Sequence, residues 1–160
     1  MLDNGYIFAK DNKRVFLNNS LGCLGQCTYC YLPRLGYSNK KIKKETISAR
    51  ELIQTLVKSK ININENTLIT LGCYSECWDD YNKKETVDLL KYFLKRGNQI
   101  QLSTKKQIRK EELLEIIPLI KYYGQLVIFV SSATISKQEI FEKNTTNVKD
   151  RFKNFMLLND

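Results

Sequence analysis

Short segments rich in apolar residues alternate along the chain with longer amphipathic stretches. The short segments predict strands over residues 15–18, 67–71, 100–104 and 126–131. The amphipathic stretches predict a helix that begins at Ser48 and further helices over residues 85–96, 110–123 and 149–158. Because the four segments lack an evident polar face, they are typical of a parallel sheet covered by helices. The pattern therefore predicts an α/β fold of about four βα units, in one domain over residues 1–160.

Local signals mark several helix ends. Ser48 and Glu51 form the S-x-x-E pattern of a capping box, which predicts a helix start. Gly97 follows two basic residues and predicts a helix end, because glycine readily adopts the left-handed conformation found there. Pro118 lies inside the third amphipathic stretch and predicts a kink. Strands and helices thus alternate in the order that a parallel sheet requires.

Every cysteine lies just after the end of a predicted strand, as do most of the candidate polar groups. Those ends carry Asn18 and Asn19, then Gly72 and Cys73, then residues 103–105, and lastly Ser131 and Ser132. The carboxyl ends of parallel strands meet at one edge of a sheet, where functional groups of α/β proteins gather. The sequence therefore predicts a single site at this edge.

Four βα units do not close a (β/α) barrel, so we expect a partial barrel with an open edge. An uncovered edge of apolar strands invites pairing with another chain. Either a second chain completes the barrel, or the sequence is a fragment of a longer protein.

Composition narrows the chemistry further. The 160 residues include 26 basic and 17 acidic side chains, and the net charge of +9 favours polyanionic partners such as nucleic acid. Histidine is absent, which excludes Ser-His and Cys-His catalytic pairs and histidine-ligated metal sites. No run approaches the roughly 20 apolar residues of a membrane span, so we expect a cytoplasmic protein without a membrane partner. A basic run over residues 40–44 is interpreted as a solvated loop, with phosphate contact as the alternative.

Three of the five cysteines, Cys23, Cys27 and Cys30, form a C-x3-C-x2-C motif in a glycine-rich segment over residues 22–36, here called the cysteine loop. Clustered thiolates select zinc, copper(I) or an iron–sulfur cluster. Three thiolates can bind three irons of a cubane and leave the fourth open to a small molecule, whereas electron-transfer clusters use four cysteines. A tetrahedral zinc site would instead need Cys73 or Cys77 as the fourth ligand.

This motif, its place after the first strand and the aromatic Tyr29 before its last cysteine resemble the radical SAM superfamily. The resemblance implies a [4Fe–4S] cluster on Cys23, Cys27 and Cys30, whose open iron binds S-adenosylmethionine. It also implies reductive cleavage of the sulfonium to a 5′-deoxyadenosyl radical that abstracts hydrogen from a substrate. The electron would come from a donor such as flavodoxin or ferredoxin.

Within that superfamily, residues 18–155 are most similar to spore photoproduct lyase and its lyase-like relatives. The matching motifs are Cys-Thr-Tyr-Cys-Tyr-Leu at 27–32, Asp-Asp-Tyr followed by a glutamate at 79–85, Thr104-Lys105, Val130-Ser131, and the pair Glu142 and Arg151. The resemblance implies that Thr104, Lys105 and Ser131 bind S-adenosylmethionine. It places at Cys73 the thiol that returns hydrogen to the product radical, and it suggests repair of a thymine-dimer lesion in DNA.

Three further residues are candidates for the same site. Tyr29 would face adenine through its backbone, and Tyr29 and Tyr31 are candidates to relay the radical. Gly72 would let the backbone approach the methionine moiety closely. Cys77 has no counterpart in the resemblance and is expected to be structural. The alternatives are a non-enzymatic iron–sulfur or zinc-binding module and an incomplete chain that needs a partner.

Overall fold

A six-stranded, mostly parallel sheet organises the chain in a computed structural model that describes residues 2–9, 11–37 and 46–157. The strands follow one another across the sheet in chain order: β1 Leu2–Asp3, β2 Ile7–Ala9, β3 Arg14–Leu17, β4 Leu68–Leu71, β5 Ile100–Thr104 and β6 Leu126–Val130. The strands from β3 to β6 are parallel, and β1 and β2 add an antiparallel hairpin to β3. The four predicted strands are confirmed within one residue at each end, whereas the hairpin was not predicted. The basic run over residues 40–44 lies outside the described residues.

Two long helices cover one face of the sheet. The first, α1, spans Ala49–Lys58 and begins with the predicted capping box, in which Ser48 and Glu51 satisfy each other's backbone N–H groups. The second, α2, spans Lys83–Lys95 and is followed by Gly97 in the left-handed conformation. Both helices pack their apolar faces on the core, with Leu52, Leu56, Leu90 and Phe93 fully or almost fully buried.

The predicted helix over residues 110–123 is wrong. The segment instead forms two short 3-10 turns, Lys110–Leu113 and Ile117–Leu119. Pro118 lies in the second turn, where its missing N–H and fixed φ prevent a continuous helix. A short helix after β6, α3 at Gln138–Phe141, was not predicted. The predicted last helix over residues 149–158 is also shorter than expected, since α4 spans only Val148–Phe152 and a 3-10 turn follows at Lys153–Met156.

The prediction that the strands lack a polar face is wrong as well. Buried residues alternate with partly exposed ones along β3, β4 and β5, so only one face of each strand contacts the helices. The other face carries Arg14, Thr70, Gln101 and Ser103, together with Phe129, which is half-exposed. Within the described residues, β1 and β6 are the two edges of an open sheet, and no helix there is long and apolar enough to cross a membrane.

Candidate functional site

A cavity of about 450 Å³ lies at the carboxyl edge of the parallel strands, between the ends of β4, β5 and β6 and the cysteine loop. All ten residues that the sequence analysis assigned to a site line this cavity: Cys23, Cys27, Tyr29, Cys30, Tyr31, Gly72, Cys73, Thr104, Lys105 and Ser131. They come from four separate segments of the chain, and the sheet brings them together because its parallel strands end at the same edge.

The cysteine loop folds tightly around Gly25. The Gly25 N–H donates to Cys23 Sγ at 3.3 Å, and a Cβ on Gly25 would stand 3.2 Å from Cys23 Sγ and 3.7 Å from Cys27 Sγ. The two sulfurs therefore flank one glycine, and Gln26 beside it has a positive φ of 46°. Burial raises the pKa of the Cys23 thiol to about 12, and burial also raises that of Cys27. Because thiolates are the form that binds metal, a metal would have to displace these protons.

Backbone hydrogen bonds hold the cysteine loop against the last residue of α3 and the segment that follows it. The Thr28 N–H donates to the Phe141 carbonyl at 3.0 Å, and the Asn144 N–H donates to the Gly25 carbonyl at 3.2 Å. Cys27 and Glu142 form an isolated antiparallel bridge between these bonds. The loop that carries the three cysteines is thus anchored to a segment more than 100 residues away in sequence.

A fully buried carboxylate, Glu142, joins the loop to the strand ends. Its Oε1 accepts hydrogen bonds from the Tyr29 hydroxyl and from the Ala133 N–H, and its Oε2 accepts one from Arg151 Nη2 at 2.7 Å. Both members of the Glu142–Arg151 pair are completely inaccessible to solvent. Burial raises the pKa of Glu142, but the hydrogen bonds from Tyr29 and Arg151 outweigh it and lower the pKa overall. The two residues matched to the lyase motif therefore lie in direct contact.

Lys105 extends from the end of β5 into the cavity. Its Nζ donates to Ser131 Oγ at 2.5 Å, lies 3.8 Å from Glu142 Oε1 and stands 5.8 Å from the centre of the Tyr29 ring. The predicted site residues Lys105, Ser131 and Tyr29 are therefore neighbours. The Lys105 ammonium among them is a cationic group that can bind a carboxylate.

Glu76 is a second buried carboxylate, and sequence reasoning missed it. It lines the cavity and accepts hydrogen bonds from Thr104 Oγ1 at 2.6 Å, from the Lys105 N–H at 2.7 Å and from the Trp78 N–H at 3.1 Å. Burial raises its pKa. Thr104 is almost fully buried and donates its hydroxyl proton to Glu76, so Glu76 fixes the orientation of that hydroxyl. The sequence signal that could have indicated Glu76 is its position after β4, between Cys73 and Cys77.

The cysteines after β4 occupy different environments. Cys73 lines the cavity, its carbonyl accepts a hydrogen bond from the Tyr31 hydroxyl, and burial raises the pKa of its thiol to about 11. Cys77 is buried in the core and packs against Gly72, which has a φ of +75°. A Cβ on Gly72 would lie 2.8 Å from the Cys77 Cβ, so the packing of Cys77 by itself requires glycine at this position.

The thiols of the cysteine loop fit the iron–sulfur cluster that the resemblance implies. Three thiols and no carboxylate form the loop motif, which is the chemistry of an iron–sulfur cluster. Among the described residues, no three His, Cys, Asp or Glu side chains lie close enough together to hold one metal ion. A cubane spreads its cysteines over separate irons, so it does not require convergence on a single ion. Two residues that line the cavity, Thr70 and Ser75, have buried hydroxyls without a hydrogen-bond partner in the described part of the protein.

Comparisons with protein-family models, curated protein sequences and solved structures found no match to this chain. The resemblance to radical SAM proteins therefore rests on the residues named above.

Proposed function

We propose that this chain is the cluster-bearing part of a radical SAM enzyme, built on a partial (β/α) barrel. The observation that carries the proposal is that three cysteines and two tyrosines of the cysteine loop line one cavity together with five site residues from elsewhere in the chain. In this proposal Cys23, Cys27 and Cys30 hold a [4Fe–4S] cluster. When bound, the cluster and S-adenosylmethionine would supply one-electron cleavage of the sulfonium to a 5′-deoxyadenosyl radical.

The wall opposite the cysteine loop supports the cofactor assignment. Lys105 offers an ammonium group to a carboxylate, and Ser131 offers a hydroxyl beside it. The cavity volume of about 450 Å³ lies within the roughly 300–1,000 Å³ typical of small-molecule sites. The wall therefore combines the size and the charge that a zwitterionic nucleoside ligand requires.

Cys73 supports the assignment of a hydrogen donor. Its raised pKa, about 11, means that the sulfur keeps its hydrogen at neutral pH. A hydrogen-atom donor requires this thiol form. Tyr31 fixes the Cys73 backbone through its hydroxyl, and both residues line the cavity.

Anaerobic reconstitution with iron and sulfide tests the proposal. We expect a brown protein with about four irons per chain and, after reduction, an EPR signal that changes when S-adenosylmethionine is added. Release of 5′-deoxyadenosine, measured by chromatography, would then establish the cleavage. A fully loaded cluster that neither responds to S-adenosylmethionine nor releases the nucleoside would refute the proposed enzyme. One zinc per chain without iron would favour the zinc-binding module instead.

Three cysteine variants separate the roles. Cys27→Ala should abolish iron loading, because it removes one of three ligands. Cys77→Ala is the matched control: its sulfur is buried in the core and does not line the cavity, so iron loading should persist. Cys73→Ala should retain both the cluster and nucleoside release, and should lose only the return of hydrogen to product.

Repair of a DNA lesion is the more specific part of the proposal. The net charge of +9 and the partly exposed sheet face beside the cavity support it, since Arg14 lies 5.8 Å from the centre of the Phe16 ring there. Basic and aromatic side chains on one surface suit phosphates and bases. Fluorescence anisotropy with labelled DNA should show an affinity that falls steeply as salt is added. At a fixed salt concentration, Arg14→Gln should lower this affinity. Binding that is undetectable at low salt would remove DNA as the substrate.

A further inference from the structure

Glu142 connects two walls of the cavity that the sequence separates widely. Its Oε1 accepts from the Tyr29 hydroxyl on the cysteine loop and lies 3.8 Å from Lys105 Nζ at the end of β5. Its Oε2 is held by Arg151, which also donates to the Ser131 carbonyl at 2.6 Å. A single carboxylate therefore contacts the loop, and through Arg151 and Lys105 it is coupled to both strand ends that face the loop.

The burial of this pair restricts its geometry. A buried carboxylate is tolerated only when charge and hydrogen bonds compensate its lost hydration, and Glu142 has both. The Arg151 guanidinium is held in turn at each of its three nitrogens, since it donates to the Thr146 carbonyl, the Ser131 carbonyl and Glu142. Because any rotation of Glu142 would break several of these bonds, the carboxylate has one favourable orientation.

We propose that Glu142 is a positioning residue that fixes the cysteine loop, through the Tyr29 hydroxyl, in register with the Lys105 ammonium on the facing wall. Its effect on the loop belongs to the chain alone. Its effect on S-adenosylmethionine binding rests on the proposed function, because only then would the cluster and Lys105 bind the same ligand. Glu142 itself need not touch that ligand.

The first test uses the protein without added iron. Glu142→Gln keeps the side-chain shape but removes the charge, and the rate of iodoacetamide alkylation at each cysteine is followed by peptide mass spectrometry. We expect Cys27 to react at least fivefold faster in the variant, because the side-chain anchor of the loop is weakened while its backbone hydrogen bonds remain. Cys77 is the internal reference for global unfolding, since its sulfur is buried in the core, and its rate should stay within twofold.

Two further variants make this test decisive. Tyr29→Phe removes one hydroxyl from a half-exposed side chain and should therefore fold, and it should accelerate Cys27 in the same direction. Glu112→Gln removes another partly buried, ion-paired carboxylate that does not line the cavity, and it should leave the Cys27 rate unchanged. Unchanged alkylation of Cys27 in both Glu142→Gln and Tyr29→Phe would overturn the proposal. So would equal acceleration of Cys27 and Cys77, which signals general destabilisation.

The second test measures coupling in the reconstituted protein, by titrating S-adenosylmethionine against the EPR signal. Glu142→Gln and Lys105→Met should each weaken binding at least tenfold at unchanged iron content, and Glu142→Asp should recover part of the loss. The double variant should bind S-adenosylmethionine no more than threefold more weakly than either single variant. The reason is that both substitutions disrupt the same contact, that of the positioned Lys105 ammonium with the ligand. Fully additive losses would overturn the positioning role. If the unaltered chain binds no iron, the proposed function fails, while the alkylation test still decides whether Glu142 holds the loop.

Discussion

Alanine at Gly72 is expected to destabilise the fold more than alanine at Gly124. Both glycines have a left-handed φ, +75° and +81°, so either substitution incurs a conformational cost of about 1–2 kcal/mol. Around Gly124 nothing lies within 4 Å of the new Cβ, whereas at Gly72 it would stand 2.8 Å from Cys77 Cβ and 3.0 Å from Cys77 Sγ. Cys77 is buried and cannot move aside freely, so overpacking adds about 1–3 kcal/mol at Gly72 alone.

Urea unfolding followed by circular dichroism measures this difference. The midpoint should fall further for Gly72→Ala than for Gly124→Ala with a similar slope, and about 1–3 kcal/mol corresponds to roughly 2–12 °C in Tm for a chain of this size. Cys77→Gly removes both contacting atoms, so in that background the two alanine substitutions should cost nearly the same. Equal destabilisation by Gly72→Ala and Gly124→Ala in the unaltered chain would refute the steric reasoning.

Three further predictions concern stability, each checked by equilibrium unfolding. Ser48→Ala removes the cap of α1 and should cost about 0.5–2 kcal/mol, while Ser48→Asp should retain most of the stability. Arg151→Met leaves the buried Glu142 without its counter-charge and should cost about 3–5 kcal/mol; a loss below 1 kcal/mol would contradict the buried pair. Burial by itself raises the pKa of Glu112, but hydrogen bonds that include the one from Lys83 outweigh burial and lower the pKa to about 2. The ionised Glu112 therefore stabilises the folded chain fully above about pH 4.5, and this contribution is lost as the pH falls from about 4.5 to 2. Glu112→Gln should therefore remove part of the acid-induced loss of stability, and an identical acid profile would contradict this assignment.

The four parallel strands and the first two helices were predictable because local sequence determines them. Each parallel strand is a short segment of apolar residues, continuous or alternating with polar ones, and a polar residue or glycine marks its end; α1 begins at a capping box. Site membership followed from the same pattern, since residues just past the strand ends meet at one edge of any parallel sheet. For this reason one cavity is lined by Gly72, Lys105 and Ser131, although these residues are far apart in the chain.

What the pattern missed depends on contacts between distant segments. The stretch over residues 110–123 has helical spacing, but Leu113 and Ile116 bury their side chains from short turns, and Pro118 interrupts the hydrogen bonding. Glu76 looked like an ordinary polar residue, and Glu142 was marked only by the lyase resemblance, because acidic side chains usually lie on the surface. Only the folded chain supplies the donors that make their burial favourable.

The surroundings of Lys105 show what these two carboxylates accomplish together. Glu76 binds the backbone N–H of Lys105 and so fixes where the side chain begins. Glu142 lies near its ammonium, but at 3.8 Å, while Arg151 neutralises Glu142 from 2.7 Å. The closest partner of the ammonium is the neutral Ser131 hydroxyl, and Glu142 is a more distant ionic partner. An ammonium that is held in place at the cavity wall by a neutral hydroxyl is suited to bind an anionic ligand group.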